Sequence, residues 1–264
     1  MSFDPAPALE RMRTAAPLVQ NITNFVAMNT MANVLLAAGA SPAMVHAREE
    51  STDFMTVARA LTINIGTLTP AWVEAMHVAA NAAKKLGKPW VFDPVGCGAT
   101  PYRTQVAKQI ASLRPTIIRG NASEILALSG VTSSAKGVDA GDEVDSAQSA
   151  AKSLVSHYGS IVCITGPVDL VTDGTRIARI ANGHPLMPRV TALGCALTGI
   201  CAAFAATTDD PFEATTAALA FYGACGEIAA KTASGPGTFA VAFIDALANM
   251  NPATLTSMSR VSLS

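Results

Sequence analysis

Charge is scarce in this chain. Only 14% of its 264 residues are Asp, Glu, Lys or Arg, and the formal net charge is −1. Nothing in that balance recruits nucleic acid or an anionic membrane, and neither is expected as a partner. Cysteine is sparse as well. Five are present, at 97, 163, 195, 201 and 225, and none forms a Cys-x-x-Cys pair. An odd number at irregular spacings excludes a disulfide framework and a zinc cage, and points to a reducing cytoplasm. Long apolar runs are missing too. The stretch "TALGCALTGICAAFAA" (191–206) comes nearest, but it is short and weakly apolar, so no membrane span is expected. "MSFDPAPALERMR" has no apolar core of the signal-peptide kind. Neither G-x-x-x-x-G-K-[ST] nor G-x-G-x-x-G occurs. A nucleotide, if one binds, is held by another loop design.

What is present is hydrophobic: half of the residues, with much alanine. The length is ample for a sizeable core, and the low charge leaves apolar surface that an oligomer could cover. Apolar runs of strand type alternate with helical ones. Strands are expected at 17–22, 61–67, 89–94, 115–121 and 160–166. Thr69 caps a helix that starts at Pro70 and ends near Gly87. Further helices are expected at 28–39, 122–130, 142–159, 195–206, 212–231 and 238–249. Between 168 and 181 two alternating runs flank Asp173-Gly174, a hairpin signal. The expected architecture is α/β: a mostly parallel central sheet with helices on both faces and an antiparallel hairpin near one edge. No repeat or linker divides residues 1–264, so a single domain is expected.

In an open parallel sheet, ligands bind beyond the carboxyl ends of the strands. The residues that follow the strands are therefore the candidates. They are Thr23-Asn24, Gly66-Thr67, Asp93 to Gly96, Arg119 to Asn121 with Glu124 one turn on, Thr165-Gly166, and the turn into Gly194-Cys195. Asp93 and Glu124 could hold Mg²⁺, mostly through water. They serve equally as a turn residue and a helix-dipole acid. Arg119 suits a phosphate, or an ion pair with one of those carboxylates. The free amides of a helix beginning at Cys195 make an anion site, and their field lowers a thiol's pKa. A small thiol that packs like alanine is the alternative.

Taken as ordered blocks, "NITNFVAMNTMAN", "GASPAMVHAREE", "NIGTLTPAW", "DPVGCGATPYRT", "RPTIIRGNASEILAL", "NGHPLMPRVT", "LGCALTG" and "GPGTFAVAFIDAL" resemble the hydroxyethylthiazole kinase family over nearly the whole chain. The resemblance implies a ribokinase-like fold. It implies transfer of the γ-phosphate of ATP, with Mg²⁺, to the hydroxyl of 4-methyl-5-(2-hydroxyethyl)thiazole in thiamine salvage. It also implies a homotrimer with active sites between subunits. Carried over by motif, Asn24, Arg119, Thr165 and Gly194 contact ATP, and Asp93 and Glu124 stand at the metal. Met44, Gly66, Ala192 and Cys195 contact the thiazole. Cys195 faces the acceptor hydroxyl, where the wider group usually carries an aspartate base. The family resembles Gly-Thr-Gly-Cys at the turn where this chain has Ala192-Leu193-Gly194-Cys195. Leu193 adds bulk and Ala192 accepts positive φ poorly, so a distorted anion hole and a lower rate are expected. Three other readings stay open: a cysteine-nucleophile hydrolase, a weakly catalytic binder, and a kinase of the same fold acting on another small alcohol.

Overall fold

The structure is a computed structural model that describes residues 3–130 and 140–264. Met1, Ser2 and the side chains that open the 142–159 run lie outside the described residues. Among the described residues nine strands form one sheet. In chain order they are β1 (Leu18–Ile22), β2 (Ser41–Ala43), β3 (Ala60–Asn64), β4 (Trp90–Asp93), β5 (Ile117–Asn121), β6 (Ile161–Thr165), β7 (Asp169–Thr172), β8 (Ile177–Ile180) and β9 (Val261–Leu263). Their spatial order is β2-β1-β3-β4-β5-β6-β7-β8-β9. Pairing is parallel from β2 to β6 and antiparallel from β6 to β9. The expected hairpin is β7–β8. It is not the edge, because β9 adds a third antiparallel strand outside it.

Both faces of the sheet are covered, and the strand period shows how. Successive residues of a strand point to opposite faces. Val91 therefore joins one core, while Trp90 and Phe92 join the other. Ile117 and Ile118 divide the same way, as do Cys163 and its neighbours Val162 and Ile164. The first core is closed by α1 (Ala6–Ala15), α2 (Met28–Ala38), α8 (Leu193–Ala205), α9 (Pro211–Ala230) and α10 (Pro236–Asn249). The second is closed by α3 (Arg48–Val57), α4 (Pro70–Lys85), α5 (Pro101–Ala111), α6 (Ala122–Ser129) and α7 (Ala140–Tyr158). A short α11 (Pro252–Met258) precedes β9. Buried strands therefore read as continuous apolar runs rather than as alternation.

α8 and α9 are buried along most of their length, and alanine and glycine make that possible. Small side chains let helices approach closely. A Cβ on Gly199 of α8 would sit 3.1 Å from Leu35 of α2. A Cβ on Gly223 of α9 would meet the Asn182 backbone at 2.7 Å, which only glycine avoids. α8 starts at Leu193, two residues before the expected Cys195, so the thiol sits in its first turn. α8 packs beneath β1, β3 and β4 and brings that first turn to their carboxyl ends. Among the described residues, no helix is long and apolar enough to cross a membrane.

Candidate active site

Parallel register sets the candidates side by side. Asn64 of β3 is paired with Asp93 of β4. Arg119 of β5 is paired with Cys163, and Asn121 with Thr165, on β6. Asn24 lies just beyond β1, beside β3. Each side chain at this edge is then tied to a neighbour.

Asp93 is fully buried and Arg119 is 8% exposed; Arg119 Nη1 lies 3.2 Å from Asp93 Oδ2. Two more donors reach that same oxygen, Asn64 Nδ2 at 2.9 Å and Thr198 Oγ1 at 2.9 Å. The other nitrogen of the guanidinium fork, Nη2, donates to Thr165 Oγ1 at 2.8 Å. Burial pushes the Asp93 carboxyl up to about 6, against the pull of Arg119. Burial works to lower the Arg119 guanidinium, but Asp93 and its other anionic neighbours raise it overall. The ion-pair alternative for Arg119 is therefore realised. It does not remove the arginine from the site, because a buried cation on a fork of fixed donors is still aimed at the cavity it lines.

That cavity measures about 850 Å³. Arg119, Thr165 and Gly194 line it, with Asp169, His184 and Tyr222 on other walls. It lies against the start of α8. Ala192, at the N-cap, supplies no side-chain cap, and the first amide of α8 to find a helical acceptor is Ala196. The amides of Leu193, Gly194 and Cys195 thus remain available to an anion. A Cβ on Gly194 would lie 3.5 Å from Arg119 Nη2, so the helix start and the guanidinium flank one point.

Ala192 holds φ 66°, ψ 0°, the left-handed conformation that an L side chain makes costly. Leu193 lines the cavity while also packing against the first core, and its carbonyl accepts the Tyr222 hydroxyl at 2.8 Å.

Asn24, Gly66 and Cys195 come together on the far side of the network. Asn24 Nδ2 donates to Asn64 Oδ1 at 2.8 Å and to Cys195 Sγ at 3.4 Å. A Cβ on Gly66 would collide with Asn24 at 2.7 Å, so the glycine is a requirement of this approach. Met44, partly buried, follows β2 and packs against the first core. The expectation for the Cys195 thiol is overturned. Its pKa is raised, chiefly by burial and then by the Asp93 charge, and the Asn24 donor offsets only part of this. Cys195 is a thiol near neutrality rather than a thiolate.

Glu124 closes a capping box on α6, its Oε2 accepting from Asn121 N at 2.9 Å. Its Oε1 accepts from Gly96 N at 2.9 Å, fastening the loop after Asp93. Among the described residues no three His, Cys, Asp or Glu side chains converge into a metal cage. Two carboxylates are nevertheless in electrostatic reach of each other. Asp93 Oδ1 is buried without a partner, and each Glu124 oxygen keeps a free lone pair. Two carboxylate oxygens supplemented by water and phosphate are a donor set that suits Mg²⁺.

Four residues here escaped the sequence reading. Asn64 and Thr198 belong to the Asp93 network. Arg103 clamps the strand ends, donating to the carbonyls of Ile65, Val95 and Gly66. Asp169 accepts from Gly166 N at 2.9 Å, and burial holds its carboxyl up to about 6. The available signal was a polar residue, Asn64, interrupting Ile63 and Ile65 in an otherwise apolar strand.

A mostly parallel sheet with helices on both faces, whose strand ends bring free amides and a buried arginine to one cavity, is a ribokinase-like arrangement. The fold comparison agrees. The pyridoxal kinase of Staphylococcus aureus in complex with AMP-PCP and pyridoxal aligns with a TM-score of 0.67 at 15% identity, covering 95% of this chain and 99% of that one. At that identity the likeness speaks to fold alone. A model of the hydroxyethylthiazole kinase family matches residues 9–253, and the chain belongs to that family. The hydroxyethylthiazole kinase of Cereibacter sphaeroides is 62% identical over 247 residues, 94% of each chain. The structure of the hydroxyethylthiazole kinase protein from Pyrococcus horikoshii OT3 aligns with a TM-score of 0.92 at 42% identity, covering 98% of both.

Proposed function

We propose that this chain, as one kinase domain over residues 1–264, transfers the γ-phosphate of ATP to the hydroxyl of 4-methyl-5-(2-hydroxyethyl)thiazole in thiamine salvage. The observation that carries the reading is the uncapped start of α8, with Arg119 beside Gly194 on the cavity wall and Asn24 bonded to the Cys195 thiol. Phosphoryl transfer leaves little covalent work to the protein. Positioning and charge neutralisation supply most of the rate. The amides of Leu193, Gly194 and Cys195 receive the transferring phosphoryl group. Arg119, fixed by Asp93 and Thr165, neutralises its charge. Asp93 and Glu124 would hold Mg²⁺, which would supply neutralisation of the phosphate charge. Met44 and Gly66 line the thiazole side, with Ala192 at its rim.

Cys195 orients the acceptor hydroxyl, and the minor fraction of it present as thiolate takes the hydroxyl's proton late, becoming the neutral thiol. A thiol of raised pKa is a poor covalent nucleophile, which weighs against the hydrolase reading. Neither histidine near this edge is hydrogen-bonded to the Cys195 thiol: His46 packs on Trp72, and His184, on the cavity wall, accepts at Nδ1 from Leu186 N. Exposed Phe25 and Val26, next to Asn24, suit a subunit interface that completes the thiazole pocket in a cytoplasmic homotrimer.

The deciding assay supplies ATP, Mg²⁺ and the thiazole alcohol, and measures ADP and phosphorylated product together. The kinase reading expects both, in equal amounts and only with the alcohol present. Thiazole binding without product makes the protein a binder. ADP formed equally without the alcohol makes it an ATPase.

A further inference from the structure

We infer that Asn64 is a positioning residue that couples the acceptor side of the site to the phosphate side; this rests on the kinase reading above. Asn64 ends β3 and is fully buried. Its carboxamide is used in both directions. Oδ1 accepts from Asn24 Nδ2 at 2.8 Å and from Gly66 N at 2.9 Å. Nδ2 donates to Asp93 Oδ2 at 2.9 Å. Beyond Asn24 lies Cys195, and beyond Asp93 lie Arg119 and Thr198. A continuous chain of hydrogen bonds thus joins the thiol to the guanidinium, and Asn64 is its middle link.

The orientation of the amide is dictated. Rotated by half a turn, it would set its NH₂ against two donors and its oxygen against a carboxylate. Asn24 is equally constrained, since its Oδ1 accepts from Ala27 N and Gly66 leaves it no other space. Asn64 also decides which carboxylate oxygen of Asp93 is saturated, because three donors converge on Oδ2 and leave Oδ1 without one.

Fastening strands does not account for this side chain. β3 and β4 are already joined by their backbone ladder through Asn64 and Asp93. An apolar residue would fill a buried strand position at less desolvation cost. A buried polar hub whose oxygen accepts from two donors and whose nitrogen is held on Asp93 instead specifies one geometry at its two ends.

The test is a set of double-mutant cycles read in kcat. Asn24→Ala perturbs the acceptor end, and Thr198→Val the phosphate end. With Asn64 present, their combined effect should depart from the product of the single effects by at least about threefold. In an Asn64→Ala background, the two effects should simply multiply. Asn64→Ala alone should lower kcat by roughly 10²-fold, the scale of a small misplacement of reacting groups, with KM for ATP changed less than about threefold. Asn64→Asp keeps the oxygen for Asn24 and Gly66 but loses the donor to Asp93, and it should lose kcat as well. Melting curves confirm that each variant is folded. Multiplicative effects with Asn64 present, or wild-type kcat in folded Asn64→Asp, overturn the proposal.

If the wild type phosphorylates no thiazole alcohol, the kinase reading fails, and the same variants are scored by iodoacetamide alkylation of Cys195. The network then expects Thr198→Val to change that rate only while Asn64 is present. An equal change without Asn64, or none in either background, overturns the coupling independently of the kinase reading.

Discussion

Replacing Ala192 by glycine should stabilise the protein and speed it. Ala192 is an L-residue held at φ 66°, ψ 0°, directly before α8. The left-handed conformation costs an alanine roughly 1–2 kcal/mol. Glycine removes that cost but brings a larger unfolded-state entropy, which takes back about 0.4–1 kcal/mol. The net expectation is a gain of about 0.5–1 kcal/mol. For a chain of this size each kcal/mol moves the melting midpoint by roughly 2–4 °C, so a rise of about 1–4 °C follows. The same turn aims the amides of Leu193, Gly194 and Cys195. Relaxing it should raise kcat by at most about twofold to fivefold, since 1.4 kcal/mol corresponds to a factor of ten. Ala192→Val supplies the opposite perturbation, because a β-branched residue in this conformation costs of order 1–3 kcal/mol. Urea unfolding and steady-state kinetics on both variants provide the assay. A lower midpoint for Ala192→Gly, or an unchanged one for Ala192→Val, would refute the claim that backbone strain at this turn is being held by the fold.

Cys195→Ala should keep measurable kinase activity, down roughly 10- to 10³-fold, and Cys195→Asp should retain activity, because a base helps modestly in a loose transition state. Alkylation of the wild-type thiol should show an inflection above the free-cysteine value of about 8.5, and an inflection below 8 would contradict its burial beside Asp93. Glu124→Gln should raise the Mg²⁺ needed for half-maximal rate. It should also cost about 1 kcal/mol without metal, since a glutamine offers one acceptor oxygen where two amides are now served. A stability loss with unchanged Mg²⁺ dependence would leave the residue a loop fastener only. Asp169 has a folded pKa above its unfolded one, so its contribution to stability is full below about 4 and lost as pH rises through about 6. Asp169→Asn, which keeps an oxygen for Gly166, should therefore raise the melting temperature at pH 8 more than at pH 4.5. An equal shift at both pH values would remove the carboxylate's charge as the cause.

Much of the order of strands and helices was legible in the chain, because most of the longer elements carry their own signal. Continuous apolar runs marked the buried strands, and Asp173-Gly174 marked the hairpin. Cap-and-proline pairs marked helix starts. Thr69-Pro70 was recognised, but Thr100-Pro101, Asp210-Pro211 and Asn251-Pro252 carry the same signal, and each cap residue accepts from an amide in its first turn. α5 and α11 could have been found that way. The strand-end rule likewise brought Asn24, Gly66, Asp93, Arg119, Thr165 and Gly194 to one edge, since the carboxyl ends of parallel strands must lie together.

What the sequence could not determine was pairing across that edge. β9 adds to β8 from more than 80 residues further along the chain, and its three residues carry little periodic signal of their own. Arg119 could have faced Asp93 or Glu124, and only the register of β4 and β5 with α6 chose Asp93. The thiol is the clearest case. A helix start by itself lowers a cysteine pKa. Burial and a carboxylate from another strand raise it here, because desolvation depends on what the whole fold packs around the sulfur.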